Sequence, residues 1–271
     1  MYNFDYKRVS AIDEAVNALN SADDGKLLAG GMTILPTIKQ RLARPSDLID
    51  LADITELKGI KTEKNSLIIG AMTTHYAVAS NAAVRKQNPA LANLAESIGD
   101  PAVRNRGTIG GSIANNDPAA DYPAACLGLD ATILTNKREI PSDEFFKGLF
   151  ETALEEDEII TAVSFPAAEK AFYMKFPNPA SRYALVGAFV AKTNDGVRVA
   201  ITGAGQDGVF RQNEMERALM ANFSPDAIAG ISISPDDLNS DIHASSEYRA
   251  HLIGVMVKRA VVGCSSSNTM D

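Results

Sequence analysis

Between residues 11 and 20 the apolar positions Ile12, Ala15, Val16 and Leu19 fall three or four apart, the spacing of a helix face, and Ser10 stands where a cap is needed. The turn residues Asp23-Asp24-Gly25 follow, and then a short run from Lys26 to Ala29 that predicts a buried strand. That run stops at Gly30-Gly31, and Thr33 to Leu42 resumes helical spacing with Pro36 near its first turn. Residues 47–54 and 66–71 read as strands separated by the polar segment Thr55 to Asn65. Helices are predicted over 74–83 and 89–98. From Gly99-Asp100-Pro101 to Tyr122 the chain is rich in Gly, Asn, Asp and Pro, and predicts a long irregular loop. Residues 131–135, 159–165, 172–176, 185–192 and 197–202 predict strands, and 211–221 and 247–262 helices. The polar tail Ser265 to Asp271 reads as a frayed end. A change from mixed elements to a strand cluster followed by helices places a domain boundary at 165–170.

Composition narrows the function classes. The 271 residues suffice for two domains, and the net charge of −8 comes with scattered Lys and Arg. Nucleic-acid binding needs a concentrated basic face, so that class is set aside. Cys126 and Cys264 are far apart, which excludes an iron–sulfur cluster or thiolate zinc site built by this chain alone, and also a disulfide framework. The three histidines, His75, His243 and His251, are too widely spaced for a metal site. The first eight residues carry charges where a signal peptide needs an apolar run, and no stretch approaches the ~20 apolar residues of a membrane span. The expectation is a cytoplasmic chain.

Two glycine-bearing segments carry the candidate chemistry. Ala29-Gly30-Gly31-Met32-Thr33 directly follows a strand, and Thr108-Ile109-Gly110-Gly111-Ser112 lies in the turn-rich stretch. Without a Cβ, successive amides can point into one concavity, and two such nests facing each other could hold a diphosphate without Lys or Arg. A second glycine pattern, Gly203-Ala-Gly205-Gln-Asp-Gly208, matches G-x-G-x-x-G but lacks the βαβ context of a dinucleotide fingerprint and reads as a hairpin turn. The acidic run Glu151 to Glu158 reads as a solvated turn or helix end.

The first glycine segment with Leu35-Pro-Thr-Ile-Lys39, then Ile69-Gly-Ala-Met-Thr-Thr-His75-Tyr76, then Arg104 through Asp121-Tyr-Pro-Ala-Ala125, resembles the medium, FAD-binding subunit of molybdenum hydroxylases. The resemblance covers nearly the whole chain. It implies an α+β fold with a two-lobed FAD-binding domain of the vanillyl-alcohol-oxidase type at 1–168 (lobes 1–57 and 58–168). A C-terminal domain of a three-stranded sheet with helices follows at 169–271. It further implies FAD contacts from Leu27, Leu28, Ala29, Gly30, Gly31, Met32, Thr33 and Ile34, and from Thr108, Ile109, Gly110, Gly111 and Ser112. Asp121 matches an acidic residue near the flavin's hydroxyls, Ile160 an apolar residue near the ring, and Lys175 a basic residue at the flavin site. Many relatives carry His-Ser where this chain has Met32-Thr33, so any side-chain bond from that histidine is lost.

By the same resemblance, substrate is hydroxylated at a molybdopterin cofactor in a large subunit, and electrons pass through [2Fe–2S] clusters of a small subunit to FAD here. The expected assembly is a dimer of heterotrimers, with no catalytic residue or metal ligand in this chain. Two other classes stay open: a stand-alone FAD-dependent oxidase, and a non-redox module that binds another diphosphate ligand. Flavin absorption near ~450 nm separates the last from the others, and substrate turnover by the single chain marks the oxidase.

Overall fold

A computed structural model describes residues 1–266; the tail beyond Ser266 lies outside the described residues. The first lobe is a three-stranded parallel sheet formed by β1 (Asp5–Arg8), β2 (Gly25–Leu28) and β3 (Asp47–Asp50), in the order β1-β3-β2. Helix α1 (Ile12–Asn20) joins β1 to β2, and α2 (Ile34–Lys39) joins β2 to β3. All four residues of β3 are buried, as a central parallel strand requires. Its end aspartates have partners, Asp47 in Lys7 at 2.7 Å and Asp50 in the Tyr6 hydroxyl at 2.6 Å.

The second lobe centres on a five-stranded antiparallel sheet. Strands β4 (Ile60–Glu63) and β5 (Ser66–Gly70) form a hairpin. The polar segment Thr55 to Asn65 was expected to separate strands, yet it holds a turn of 3-10 helix and the edge strand β4. The chain leaves β5 through α3 (His75–Ser80), α4 (Ala82–Gln87), α5 (Pro89–Glu96), α6 (Pro101–Arg106), α7 (Ile109–Asn115) and α8 (Tyr122–Gly128). It returns through β6 (Thr132–Thr135), β7 (Glu139–Pro141), the single turn α9 (Ser142–Phe145), and the hairpin β8 (Phe146–Gly148) and β9 (Glu151–Thr152). Strand β10 (Ile160–Pro166) then completes the sheet between β5 and β6.

Two expectations are corrected here by side-chain capping. The helix predicted over 74–83 is split at Asn81, whose side chain accepts from the amides of Ala83 and Val84 and so starts α4. The predicted irregular loop from Gly99 to Tyr122 is largely helical. Asp100 caps α6 by accepting from Val103 at 2.8 Å with Pro101 behind it, and Thr108 caps α7 by accepting from Gly111 at 3.2 Å.

The remaining strands are β11 (Lys170–Pro177), β12 (Ala184–Thr193), β13 (Gly196–Gly205) and β14 (Gly208–Arg211), an antiparallel meander backed by α10 (Asn213–Ala221) and α11 (Ser246–Ser266). The three expected strands are present, and β14 adds a short fourth one across a two-residue turn. That turn is Gln206-Asp207 of the G-x-G-x-x-G pattern, with Gly205 paired to Gly208. The run Leu185 to Ala191 is buried on both faces. Val186, Ala188 and Val190 face the core under α11, while Phe189 and Ala191 join the core of the second lobe. Gly128 of α8 makes the second contact possible, since a Cβ there would stand 2.6 Å from the Phe189 ring. The C-terminal sheet is thus a shared layer, and it fixes where Asp121, at the head of α8, lies.

Candidate functional site

Gly30 and Gly31 follow β2 directly. Gly31 has φ +75°, which a residue with a Cβ rarely adopts, and its carbonyl accepts from Leu35 at 3.2 Å to begin α2. A Cβ on Gly30 would lie 2.1 Å from the Arg106 carbonyl oxygen and 2.8 Å from Gly107 Cα. A Cβ on Gly111 would reach the Ala29 Cβ at 3.4 Å. The first glycine segment, about eighty positions before the second, therefore packs against the backbone just ahead of it, and Gly111 faces the Ala29 methyl.

Their amides are not equivalent. Among the described residues, no protein acceptor takes the N–H groups of Gly30 to Thr33. In the second segment Ile109 donates to Thr73 at 3.1 Å, Gly110 to Ala71 at 2.9 Å, Ser112 to Thr108 at 3.0 Å, and Gly111 to the Thr108 hydroxyl. The first segment is the open nest. The second is the capped turn of a helix, and its glycines serve close approach: Gly110 packs on Ala71 and Gly111 faces Ala29. A nest with open amides, roofed by backbone that a single Cβ would displace, fits a dinucleotide diphosphate.

Leu27 and Leu28 end β2, half-buried, and Ile34 opens α2. Met32 is 41% exposed and Thr33 is exposed, its side chain making no cap bond. Thr108 and Ile109 are buried. Ile160 begins β10 and shares the core with Ile109 and Ala71, beneath the second segment.

Asp121 and Lys175 come together at the seam between α8 and β11. The Lys175 ammonium lies 3.0 and 3.2 Å from the two carboxylate oxygens and donates to the Ser97 carbonyl at 2.9 Å. Tyr173 donates to Oδ1 of the same carboxylate at 2.5 Å. Both charged side chains are buried. Burial pushes the Asp121 carboxyl above its ordinary range, against the pull of Lys175 and Tyr173. Burial, and then Asp121, push the Tyr173 phenol well up. Tyr173 was not anticipated, although it lies two residues from Lys175 and hence on the same face of one strand. A cleft of about 400 Å³ opens beside the pair, lined by Asn93, Ser97, Tyr173, Lys175, Asn178 and Arg182 among others.

His75 was also left out of the predicted site. It is 5% exposed, its amide donates to Gly107 at 3.0 Å, and its ring lies 5.4 Å from that of Tyr122. Burial, with Arg104 nearby, holds it down to about 4, so it is neutral. The acidic run differs from expectation at one end. Glu158 is buried and accepts from Arg138 at 2.9 and 3.0 Å and from Thr135 at 2.7 Å. Both cysteines are free and buried. No cluster of metal-ligating side chains occurs among the described residues, and no helix there is long and apolar enough to cross a membrane.

Residues 2–168 match the family described as the FAD binding domain in molybdopterin dehydrogenase. This chain belongs to that family. As a member it is an FAD-binding oxidoreductase subunit. It is similar to the carbon monoxide dehydrogenase medium chain of Hydrogenophaga pseudoflava, at 35% identity covering 95% of this chain and 96% of that one. It is similar also to the nicotine 6-hydroxylase medium subunit of Paenarthrobacter nicotinovorans, at 34% identity covering 95% of both. The solved structure of the Hydrogenophaga carbon monoxide dehydrogenase superposes with a TM-score of 0.88 at 34% identity, over 97% of this chain and 98% of its own. The α+β flavoprotein fold of this FAD-binding subunit is therefore that of the medium chains.

Proposed function

We propose that this chain holds FAD between the Leu27–Ile34 segment and the Thr108–Ser112 segment, and passes electrons from [2Fe–2S] clusters of a small partner subunit to a final acceptor. A large molybdopterin-binding subunit would carry the substrate chemistry, in a cytoplasmic dimer of heterotrimers. We take residues 1–168 as the FAD-binding domain and 169–271 as the C-terminal domain. The observation that carries the reading is the open nest at Gly30 to Thr33, closed from above by the Arg106–Gly107 backbone.

FAD supplies reversible two-electron redox chemistry when bound. The chain's own residues bind and orient. The amides of Gly30 to Thr33 would take the diphosphate, with Gly111 leaving room beside Ala29. Ile160 and Ile109 form an apolar, water-excluding floor. Asp121 already accepts from Tyr173 and Lys175 yet retains lone-pair capacity for a flavin hydroxyl, and Lys175 places a cation at the seam.

The relatives' names support a relay over a self-sufficient oxidase. They are medium chains or subunits, and those named for carbon monoxide, glyceraldehyde and nicotine match this chain at 35%, 33% and 34% identity. A chain that is equally similar across three unlike substrates is not where substrate is chosen. The test uses the small iron–sulfur chain, reduced with dithionite, desalted, and mixed anaerobically with the flavin-loaded chain. Bleaching near ~450 nm on mixing is expected. An unbleached flavin, or steady turnover of an organic substrate by this chain alone, contradicts the relay.

A further inference from the structure

Leu149 and Phe150 form the two-residue turn between β8 and β9, where Gly148 pairs with Glu151. Each is 57% exposed. Phe150 has φ +56°, a region that turns ordinarily give to glycine or asparagine. More than half of Phe150 stays exposed, so burial within the chain does little to offset that crowding. The turn is held from below by Asn116, whose Nδ2 donates to the carbonyls of Gly148 at 2.9 Å and Glu151 at 2.8 Å. Asn116 itself has φ +43°, is 1% exposed, and keeps its Oδ1 buried without a partner. Two left-handed residues and an orphaned carbonyl thus maintain one exposed Leu–Phe tip. A turn needed only to reverse the chain would place glycine at 150 and a polar residue at 149.

The tip has the make-up of an interface centre. Two large apolar side chains project from a braced turn, flanked by the exposed charges of Lys147 and Glu151. Its position is equally specific. Asn116 is the C-terminal cap of α7, whose first turn carries Gly111 against Ala29. Seven residues of helix span about 10 Å, so a chain anchored at the tip lies close to the nest.

We propose that Leu149 and Phe150 are the anchor by which the electron-donating subunit docks, entering an apolar pocket on that subunit. The identity of the partner rests on the relay reading above; the anchor itself rests on the turn. Of two partner subunits, the one that delivers electrons must approach the cofactor, and the tip stands at the far end of the helix that borders it.

The test uses the co-expressed complex with an affinity tag on this chain. Phe150→Gly removes the ring and relieves the backbone, so the thermal midpoint of the chain is expected to hold or rise. Retention of the iron–sulfur chain is expected to weaken at least tenfold in Leu149→Ser/Phe150→Gly, with flavin content unchanged. Undiminished retention overturns the proposal. So does a loss of flavin or of thermal stability in Phe150→Gly, which would make the ring an internal support. If the wild-type chain self-associates and the double variant does not, the tip serves a second copy and the proposal is likewise wrong. Absence of flavin from the wild type would count against the relay reading alone, because retention is scored by partner stoichiometry.

Discussion

His75 shows how much a single side chain near the site depends on its surroundings. It is buried between Gly107 and Tyr122, and is held down to about 4. The unfolded chain returns it to ~6.5, so between those values the unfolded state binds more protons and stability rises with pH. The contribution is complete above about pH 6.5 and is lost as pH falls toward 4, at a cost on the order of 3 kcal/mol. Glu158, held down to about 2 first of all by Arg138, acts in a lower window, from its ordinary value near 4.5 downward. Urea midpoints measured from pH 7 to 4.5 are expected to fall steeply in the wild type and more gently in His75→Asn. Parallel curves would show that His75 is not the titrating group. None of this was visible beforehand: a histidine after two threonines says nothing of burial. Similarly, Gly110 and Gly111 looked like a nest, and only packing against Ala71 and Ala29 reveals them as contact points.

Among elements, the decisive junction is β11 against the head of α8. Tyr173 and Lys175 point the same way from one strand and clamp Asp121, and Gly187 of β12 leaves space for the phenol, since a Cβ there would lie 2.4 Å from the hydroxyl. Thr202 of β13 reinforces the junction by donating to the carbonyls of Ala120 at 2.6 Å and Pro118 at 3.0 Å. Removing one donor and removing the counter-charge differ in kind. Tyr173→Phe is expected to cost about 1–2 kcal/mol. Lys175→Met leaves a buried carboxylate unpaired and is expected to cost about 3 kcal/mol or more. Chemical unfolding of both variants checks the order, and equal costs would mean that the pair is not an ion pair in the folded protein. The strands that build this junction were legible, because long apolar runs such as Leu185 to Ala191 announce burial. The helices between residues 99 and 122 were not, because caps at Asp100 and Thr108 compete with a composition typical of loops, and six- or seven-residue helices carry too few turns for periodicity to show.

For the whole molecule, the C-terminal sheet is shared by two cores, and the core of the first lobe is joined to the second lobe through Leu57, Met72 and Ile159. The family could be read from three ordered glycine-bearing motifs. That Leu149 and Phe150 stay exposed in the folded chain could not, since it depends on the turn that Asn116 holds from a distant part of the sequence. The central claim is that the dinucleotide lies where the two glycine segments meet. The flavin-to-protein ratio of purified wild type, Gly30→Ala and Gly111→Asp tests it. The account predicts flavin in the wild type and its near-complete loss in both variants, with unchanged far-UV circular dichroism. In Gly30→Ala the cause is a methyl group set against the Arg106 carbonyl, and in Gly111→Asp a negative charge beside the diphosphate. Wild-type flavin content in the two variants would contradict it.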